Sequence, residues 1–417
     1  MAARFASLRF IWLLAALAGA TYLAPVMRAS RRPPLQPLDA AELPPATELP
    51  TMTVLVAARD EAVVLPQLVA DLAAQDHRDT SGRPCFELIV VDDRSRDGSG
   101  DAVRDAAERH GIADLTAIID RRGDVPDGKG AALTAAPPEI CRGEVIAVLD
   151  ADARIAPDFL RRAASYFSRG EGAMTARRRV VTEGEQGWRH RLAQAQDDEQ
   201  TADGELQRGR WASGGASEFR GNGILVRTDL LARAGGWRAE ALCEDLDLAT
   251  RIGASSGVSV GWALDVVVSE EPIVDPRALW RQRCRWAEGI VRRELDLTPV
   301  LLSSRRLTNR AKLDYLAYSS QTLLPLTMIG TLIGGFLFRR LSVAAGLLSV
   351  YLGAGTVLSV DSLRWSGLPM ASRLPRAVRV TLFSVHWLAV FPVGWLRVAL
   401  GRSVRYQKME HRGMGTP

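Results

Sequence analysis

Three pairs of carboxylates and one arginine-tryptophan run carry the chemistry of this 417-residue sequence: Asp92-Asp93, Asp150-Ala151-Asp152, Glu244-Asp245 and Gln282-Arg283-Cys284-Arg285-Trp286. The first two pairs each close an apolar run, residues 86–91 and 144–149, with the length and composition of a buried parallel strand. Carboxylates at the carboxyl ends of such strands line the crevice where open α/β sheets hold ligands. Negative charge concentrated there calls for a cation or for sugar hydroxyls. Asp150 and Asp152, one residue apart, can hold a hard divalent cation that bridges diphosphate oxygens. D-x-D is common by chance, and its place at a strand end is what favours the metal-binding reading.

The other motifs are each weighed against a structural role. Ala58-Arg59-Asp60-Glu61 follows the first predicted strand, so Glu61 and Asp93 can hydrogen-bond a nucleotide, although an acid at a helix start is also favoured by the helix dipole. Glycines flank Lys129 in Asp127-Gly128-Lys129-Gly130 and let it approach a phosphate. In isolation that motif reads better as a solvated turn lysine. Glu244 and Asp245 precede a helix and can be plain N-terminal acids. Alternatively, Asp245 is a general base for an acceptor hydroxyl, with Asp247 structural. Arg285 and Trp286 can anchor to a lipid interface, or can neutralise a leaving diphosphate and stack on a sugar, with Gln282 one helical turn away.

The elements that must position these groups alternate in type. Strands are predicted at 52–57, 86–91, 115–119, 145–149 and 173–181, and helices at 62–74, 102–110 and 186–207. This pattern predicts a doubly wound α/β sheet across residues 51–271. The glycine-rich stretch 214–223, which contains Phe219-Arg220-Gly221-Asn222-Gly223, reads as a loop. Prolines 33, 34, 37, 44, 45 and 50 make residues 25–50 a semi-extended linker.

About four membrane segments flank that domain. Residues 322–338, 341–360 and 380–400 are each near the roughly 20 apolar residues that span a bilayer. The stretch 6–24 reads as an uncleaved anchor instead of a signal peptide, because Arg28, Arg31 and Arg32 follow it without a cleavage site. Residues 276–318 mix arginine, tryptophan and aliphatics at helical spacing. They predict amphipathic interface helices with Trp280, Cys284, Ile290 and Val291 on one face. Residues 319–400 hold the C-terminal membrane segments, and 401–417 form a basic tail. A net charge of +5, with no basic stripe interleaved with aromatics, suits anionic lipid better than nucleic acid. Cys85, Cys141, Cys243 and Cys284 are too dispersed for a disulfide framework or a zinc site.

In this order and with these gaps, the motifs resemble the membrane-bound branch of glycosyltransferase family 2, across about Thr51 to Trp286 and the flanking apolar segments. The branch includes cellulose, hyaluronan and poly-N-acetylglucosamine synthases and glycolipid-forming glucosyltransferases. The resemblance implies a glycosyltransferase A-type fold, a doubly wound mixed sheet, with Glu61, Asp93, Lys129 and Asp150 on the nucleotide and Asp150 and Asp152 on Mg²⁺ or Mn²⁺. It also implies Asp245 as base beside Glu244, and Gln282, Arg285 and Trp286 as the family's Q-x-x-R-W. Asp60 stands where the family carries Asn, which leaves the detail of base recognition open, and Cys243 stands where it carries Thr; neither change removes a reacting group. The implied reaction is inverting transfer from a UDP-sugar, by a catalytic domain on the cytoplasmic face of the inner or plasma membrane. The expected acceptor is a membrane lipid such as diacylglycerol, and the alternative is processive synthesis of a β-polysaccharide. Loss of Asp152, Asp245 or Arg285 would mark a non-enzymatic scaffold, and all three are present.

Overall fold

The computed structural model describes residues 22–31, 37–39, 43–123, 125–339 and 341–401. The predicted segment 6–24 lies outside them except for its last three residues, and the predicted tail 401–417 lies outside them except for Gly401. Residues 22–30 form a helix, α1, so the start of the expected extended linker is helical instead.

The sheet-forming part of the chain unrolls as β1 (Met52–Ala58), α2 (Leu65–Ala73), β2 (Phe86–Asp93), α3 (Ser99–Arg109), β3 (Thr116–Arg121), α4 (Lys129–Leu133), β4 (Val145–Leu149), β5 (Arg154–Ile155) and α5 (Phe159–Ser168). It continues with β6 (Ala173–Val180), α6 (Gly187–Ala212), β7 (Ile224–Arg227), α7 (Thr228–Arg233), α8 (Glu244–Ser256) and β8 (Gly261–Glu270). The strands make one mixed eight-stranded sheet in the order β3-β2-β1-β4-β7-β6-β8-β5. The first four neighbours run parallel, β7 is antiparallel to both β4 and β6, and β8 returns parallel to β6.

Why β1, β2 and β4 sit at the centre follows from their composition. Each is an unbroken apolar run, as a strand covered by helices on both faces must be. Alternate residues serve opposite cores. Val54, Val56, Leu88, Val90 and Ala147 pack with Leu68 of α2, Val103 of α3 and Phe159 of α5. Leu55, Ile89, Val91, Ile146 and Val148 pack with Leu133 of α4, Leu231 of α7 and Ile252 of α8. The register aligns Val56 with Val90 and Leu149, and Ala58 with Asp92, so the motif carboxylates emerge on one sheet edge.

Beyond the sheet lie α9 (Pro276–Ser303), α10 (Asn309–Ser319), α11 (Leu324–Leu337), α12 (Leu341–Ser362), α13 (Met370–Ser384) and α14 (Trp387–Ala399). Among the described residues two helices are long and apolar enough to cross a membrane, Leu341–Ser366 and Met370–Ala399. A third span is available if the pair Asn309–Thr322 and Leu324–Leu337, bent by 44°, acts as one. The expected straight span at 322–338 is therefore corrected. With Pro325 in its first turn, α11 has 14 residues and is too short alone, since a spanning helix needs about 20 residues.

The face of α9 also differs from expectation. Cys284 and Val291 do not face lipid; with Ala287 they pack on Val390 and Phe391 of α14. Trp280 alone of the expected face is exposed. Asp275 caps α9 by accepting from the Arg277 amide at 2.9 Å, with Pro276 at the first turn. Two glycines make the clamp tight. A Cβ on Gly289 would lie 2.3 Å from the Cys243 sulfur, and one on Gly394 would lie 3.0 Å from the α9 backbone. Thus α9 is held between α8 and α14, which fixes Gln282, Arg285 and Trp286 relative to the sheet edge.

Candidate active site

Glu61, Asp93, Lys129, Asp150, Asp152, Glu244, Asp245, Gln282, Arg285 and Trp286 all line one cavity of about 450 Å³. Its walls come from the β1, β2 and β4 ends, the start of α8, and α9.

At one end, the loops after β1 and β2 are laced together. The Glu61 amide donates to Ser99 Oγ at 2.7 Å, and the Ala62 amide to Asp97 Oδ2 at 2.9 Å. Asp60 has φ 54° and accepts from the Arg96 amide at 2.7 Å. Left-handed backbone is one that Asp and Asn tolerate best after glycine, so Asp in place of the family's Asn keeps this turn. Asp93 is almost fully buried and accepts from Arg94 Nε at 2.9 Å and Arg121 Nη1 at 2.8 Å. Arg94 also reaches Asp127 at 2.7 Å, and Arg59 reaches it at 2.9 Å. This end is a carboxylate held among guanidinium groups.

At the centre, Lys129 Nζ pairs with Asp150 Oδ1 and donates to the Gly221 carbonyl at 3.1 Å, with Glu244 Oε1 at 3.6 Å. Burial alone would lower the Lys129 pKa, but Asp150 and Glu244 reverse this and hold it above the usual lysine range. Burial, opposed by Lys129 and reinforced by Asp245, pushes Glu244 up to about 7. Asn222 is wholly buried, and its Oδ1 accepts from the Asp150 amide at 3.1 Å. Asp152 is buried with its Oδ2 accepting from the Glu271 amide at 3.2 Å. Asp247 turns away and pairs with Arg251 at 2.6 Å and Arg238 at 3.1 Å, in keeping with a structural role.

A cation would find hard oxygen donors at this point and no thiolate or imidazole. Among the described residues no group of three or more His, Cys, Asp or Glu is arranged to hold a metal. Two carboxylates alone fit Mg²⁺ or Mn²⁺ bound jointly by the protein, water and substrate phosphates. Gly221, at φ 65°, takes up the left-handed backbone that favours glycine. A Cβ there would come within 3.8 Å of Asp245 Oδ2 and 3.7 Å of Arg178 Nη1, so the absence of a side chain keeps the space beside Asp245 open.

The lining also includes groups that sequence reasoning did not single out. Arg178 on β6 pairs with Glu270 on β8 at 2.6 Å, and its guanidinium lies 5.8 Å from the Trp286 ring centre. Arg283 lies 4.3 Å from the centre of the same ring system and pairs with Glu199 of α6 at 2.6 Å. Glu218 is buried among Arg293 at 2.9 Å, Arg220 at 3.2 Å and Arg210 at 3.7 Å. Burial raises its pKa, and the three arginines overcome that and hold it down at about 2. The one visible signal was the run Arg177-Arg178-Arg179 inside a strand, which is costly unless each cation has a partner.

Another part of the lining is largely apolar and comes from the helices beyond the sheet: Leu324 and Pro325 of α11, Tyr351 of α12, and Trp387, Leu388 and Phe391 of α14. One continuous space therefore runs from the strand-end carboxylates to the helices long enough to enter a bilayer.

Comparison with known proteins follows the same outline. The family model described as "Glycosyltransferase like family 2" matches residues 50–289. Beta-monoglucosyldiacylglycerol synthase of Trichormus variabilis is 29% identical over 382 residues, 88% of this chain and 78% of the relative. Its namesake in Synechocystis is 29% identical over 404 residues, 93% of this chain and 80% of the relative. Among solved structures, a mannosyltransferase from Pyrobaculum calidifontis in complex with GDP-Man and Mn²⁺ superposes with a TM-score of 0.60 at 22% identity. That match covers 93% of this chain and 99% of the other, and at this identity it speaks to the fold.

Proposed function

The chain belongs to the glycosyltransferase like family 2, and from that premise we propose that it transfers a hexose from a UDP-sugar to diacylglycerol, with inversion, at the cytoplasmic face of a membrane. The observation that carries this reading is the single cavity, which has carboxylates at one end and membrane-helix side chains at the other. The similarity to beta-monoglucosyldiacylglycerol synthases along most of the chain supports the same acceptor.

In this mechanism Glu61 and Asp93 bind the nucleoside, with Arg94 and Arg121 holding the Asp93 carboxylate in place. Lys129, fixed by Asp150 and the Gly221 carbonyl, faces the phosphates. Asp150 and Asp152 would hold Mg²⁺ or Mn²⁺, which supplies charge neutralisation to the diphosphate when bound. Asp245 accepts the proton of the acceptor hydroxyl as the new bond forms at the anomeric carbon and the bond from that carbon to the diphosphate oxygen breaks. The electron pair leaves with UDP, and Arg285 offsets the charge that develops there. Trp286, with the Arg178 and Arg283 guanidiniums near its ring, supplies an indole surface for the sugar. Arginine-held walls keep these groups in place before substrate arrives, so little reorganisation is required in the transition state.

The membrane enters through geometry. Leu324, Leu388 and Phe391 close the cavity on the side away from the nucleotide, so a hydroxyl at the bilayer surface reaches Asp245 while its chains stay among apolar side chains. Arg28 and Arg31, at the end of α1 beside the catalytic half, suit the cytoplasmic side.

The test offers purified full-length protein in lipid a panel of radiolabelled UDP-sugars with and without diacylglycerol. Label that moves into the organic phase as a lipid carrying one or a few hexoses is the expected result. A high-mass, glycosidase-sensitive polymer left behind by organic extraction would replace this reading with processive polysaccharide synthesis, for which the Q-x-x-R-W motif speaks.

A further inference from the structure

A second cavity of about 210 Å³ lies behind Trp387, between α6 and the membrane-side helices α1, α12 and α13. Its apolar lining includes Val26 and Met27 of α1, Ala202 and Leu206 of α6, Leu358 of α12 and Val380 of α13. Trp387, Glu199 and Asp203 line both this chamber and the main cavity, so they form the partition between them.

Four carboxylates approach the chamber, and each is matched by donors in the protein. Glu199 takes Arg283 at 2.6 Å and the Trp387 indole N–H at 2.7 Å. Asp203 pairs with Arg220. Glu205 accepts from Arg208 at 2.7 Å, Arg364 at 2.8 Å and Trp365 at 2.9 Å. Asp361 takes Arg31 at 2.6 Å and Arg364 at 2.8 Å. With its acids held in this way, the chamber offers a ligand chiefly its hydrocarbon walls. A dry apolar cavity of about 150 Å³ is enough to hold a benzene-sized hydrocarbon, and this one is larger.

We infer that the chamber binds a segment of one hydrocarbon chain of the lipid acceptor. This inference rests on the lipid-acceptor reading and specifies how that acceptor is held. A two-chain lipid with its hydroxyl at Asp245 has two tails to place. One lies along Leu324, Leu388 and Phe391 in the main cavity, and the other passes Trp387 into the chamber. The chamber thus makes the enzyme selective for acceptors with two long chains over those with one. Trp387, hydrogen-bonded to Glu199, is the positioning residue at the fork.

Two variants fill the chamber from opposite walls, Ala202→Phe on α6 and Ser359→Phe on α12. Neither residue lines the main cavity. Dioleoylglycerol and monooleoylglycerol are compared as acceptors for full-length protein in nanodiscs, with UDP-sugar binding measured alongside by calorimetry. The expected result is a kcat/KM for dioleoylglycerol lowered about tenfold or more, the scale on which hydrophobic pockets discriminate chain atoms. Monooleoylglycerol turnover and UDP-sugar affinity should stay near wild type. Equal losses on both acceptors, or no loss on either, in variants that still bind UDP-sugar would overturn the chamber assignment while leaving diacylglycerol as acceptor. A wild-type enzyme that binds UDP-sugar but glycosylates neither lipid overturns the acceptor reading, and the chamber assignment with it.

Discussion

Replacing Glu244 with Gln should stabilise the protein at neutral pH and flatten its dependence on pH, without removing transfer. The Glu244 carboxyl is about nine-tenths buried, with Asp245 next in sequence and Asp150 nearby. Burial outweighs the attraction of Lys129 at 3.6 Å and raises the pKa from 4.5 to about 7. At about 1.4 kcal/mol per pH unit, that rise corresponds to about 3 kcal/mol of preference for the neutral form. The sign follows from proton counting. Between about pH 4.5 and pH 7 the folded protein binds a proton that the unfolded chain has released, so stability falls as pH rises through this window. Above it the penalty is fully present, and below it there is none. Gln imitates the neutral form at every pH. For a domain of this size about 1 kcal/mol moves the midpoint by about 2–4 °C, so the wild type should lose several degrees between pH 5 and pH 7.5 that the variant keeps. Differential scanning fluorimetry of the full-length protein in one detergent, across that range, reads the slope directly. Parallel slopes for the two proteins would refute the argument, and would mean that Lys129 keeps Glu244 ionised throughout.

Three further outcomes can be checked with the same preparation. Asp245→Asn should cut transfer about 10²–10⁴-fold, the usual cost of a lost general base, while UDP-sugar affinity by calorimetry changes little; near-normal turnover would remove Asp245 from the mechanism. Chelation with EDTA should abolish transfer and Mg²⁺ or Mn²⁺ should restore it, because Asp150 and Asp152 offer only hard oxygen donors; full activity in chelator would leave Asp150 and Asp152 without a metal role. Glu218→Gln should cost about 3–5 kcal/mol by leaving Arg293, Arg220 and Arg210 short of a buried counter-charge. The Glu218 pKa is held below its unfolded value, so its contribution is present above about pH 4.5 and is lost as pH falls towards 2. Thermal midpoints at pH 7 and pH 4 should therefore differ less in the variant than in the wild type.

Parts of the site were legible because they obey local rules. β1, β2 and β4 are continuous apolar runs, and such runs in parallel order leave their last residues on one edge. Asp93, Asp150 and Asp152 could thus be placed together from sequence, and they line one cavity. The pair Arg178–Glu270 was not legible, because β6 and β8 become neighbours only through the fold, and nothing local marks which strand arginine turns inward. Nor could β7 be placed: four residues long, it sits antiparallel between β4 and β6, and with the two-residue β5, antiparallel to β8, it makes the sheet mixed.

The same limit explains why α9 was expected at a lipid interface. An amphipathic stripe specifies that one face needs cover, and lipid and a neighbouring helix satisfy it equally well. The choice is made by small residues on the opposite surfaces, Gly289 against Cys243 and Gly394 against the α9 backbone, where a single added methyl group would collide. Those glycines let α9 touch both the α8 end that carries Asp245 and the α14 helix that carries Trp387. A substitution at Gly394 should therefore act on the active site through α9 although it adds no group to the cavity. Gly394→Val would displace the backbone at Ala287 and Glu288, directly after Trp286 on the helix that also carries Gln282 and Arg285. If α9 is the link, sugar transfer should fall while UDP-sugar binding at the β1, β2 and β4 ends persists. If binding and transfer fall together with the thermal midpoint, the clamp supports the fold as a whole and does not act through α9.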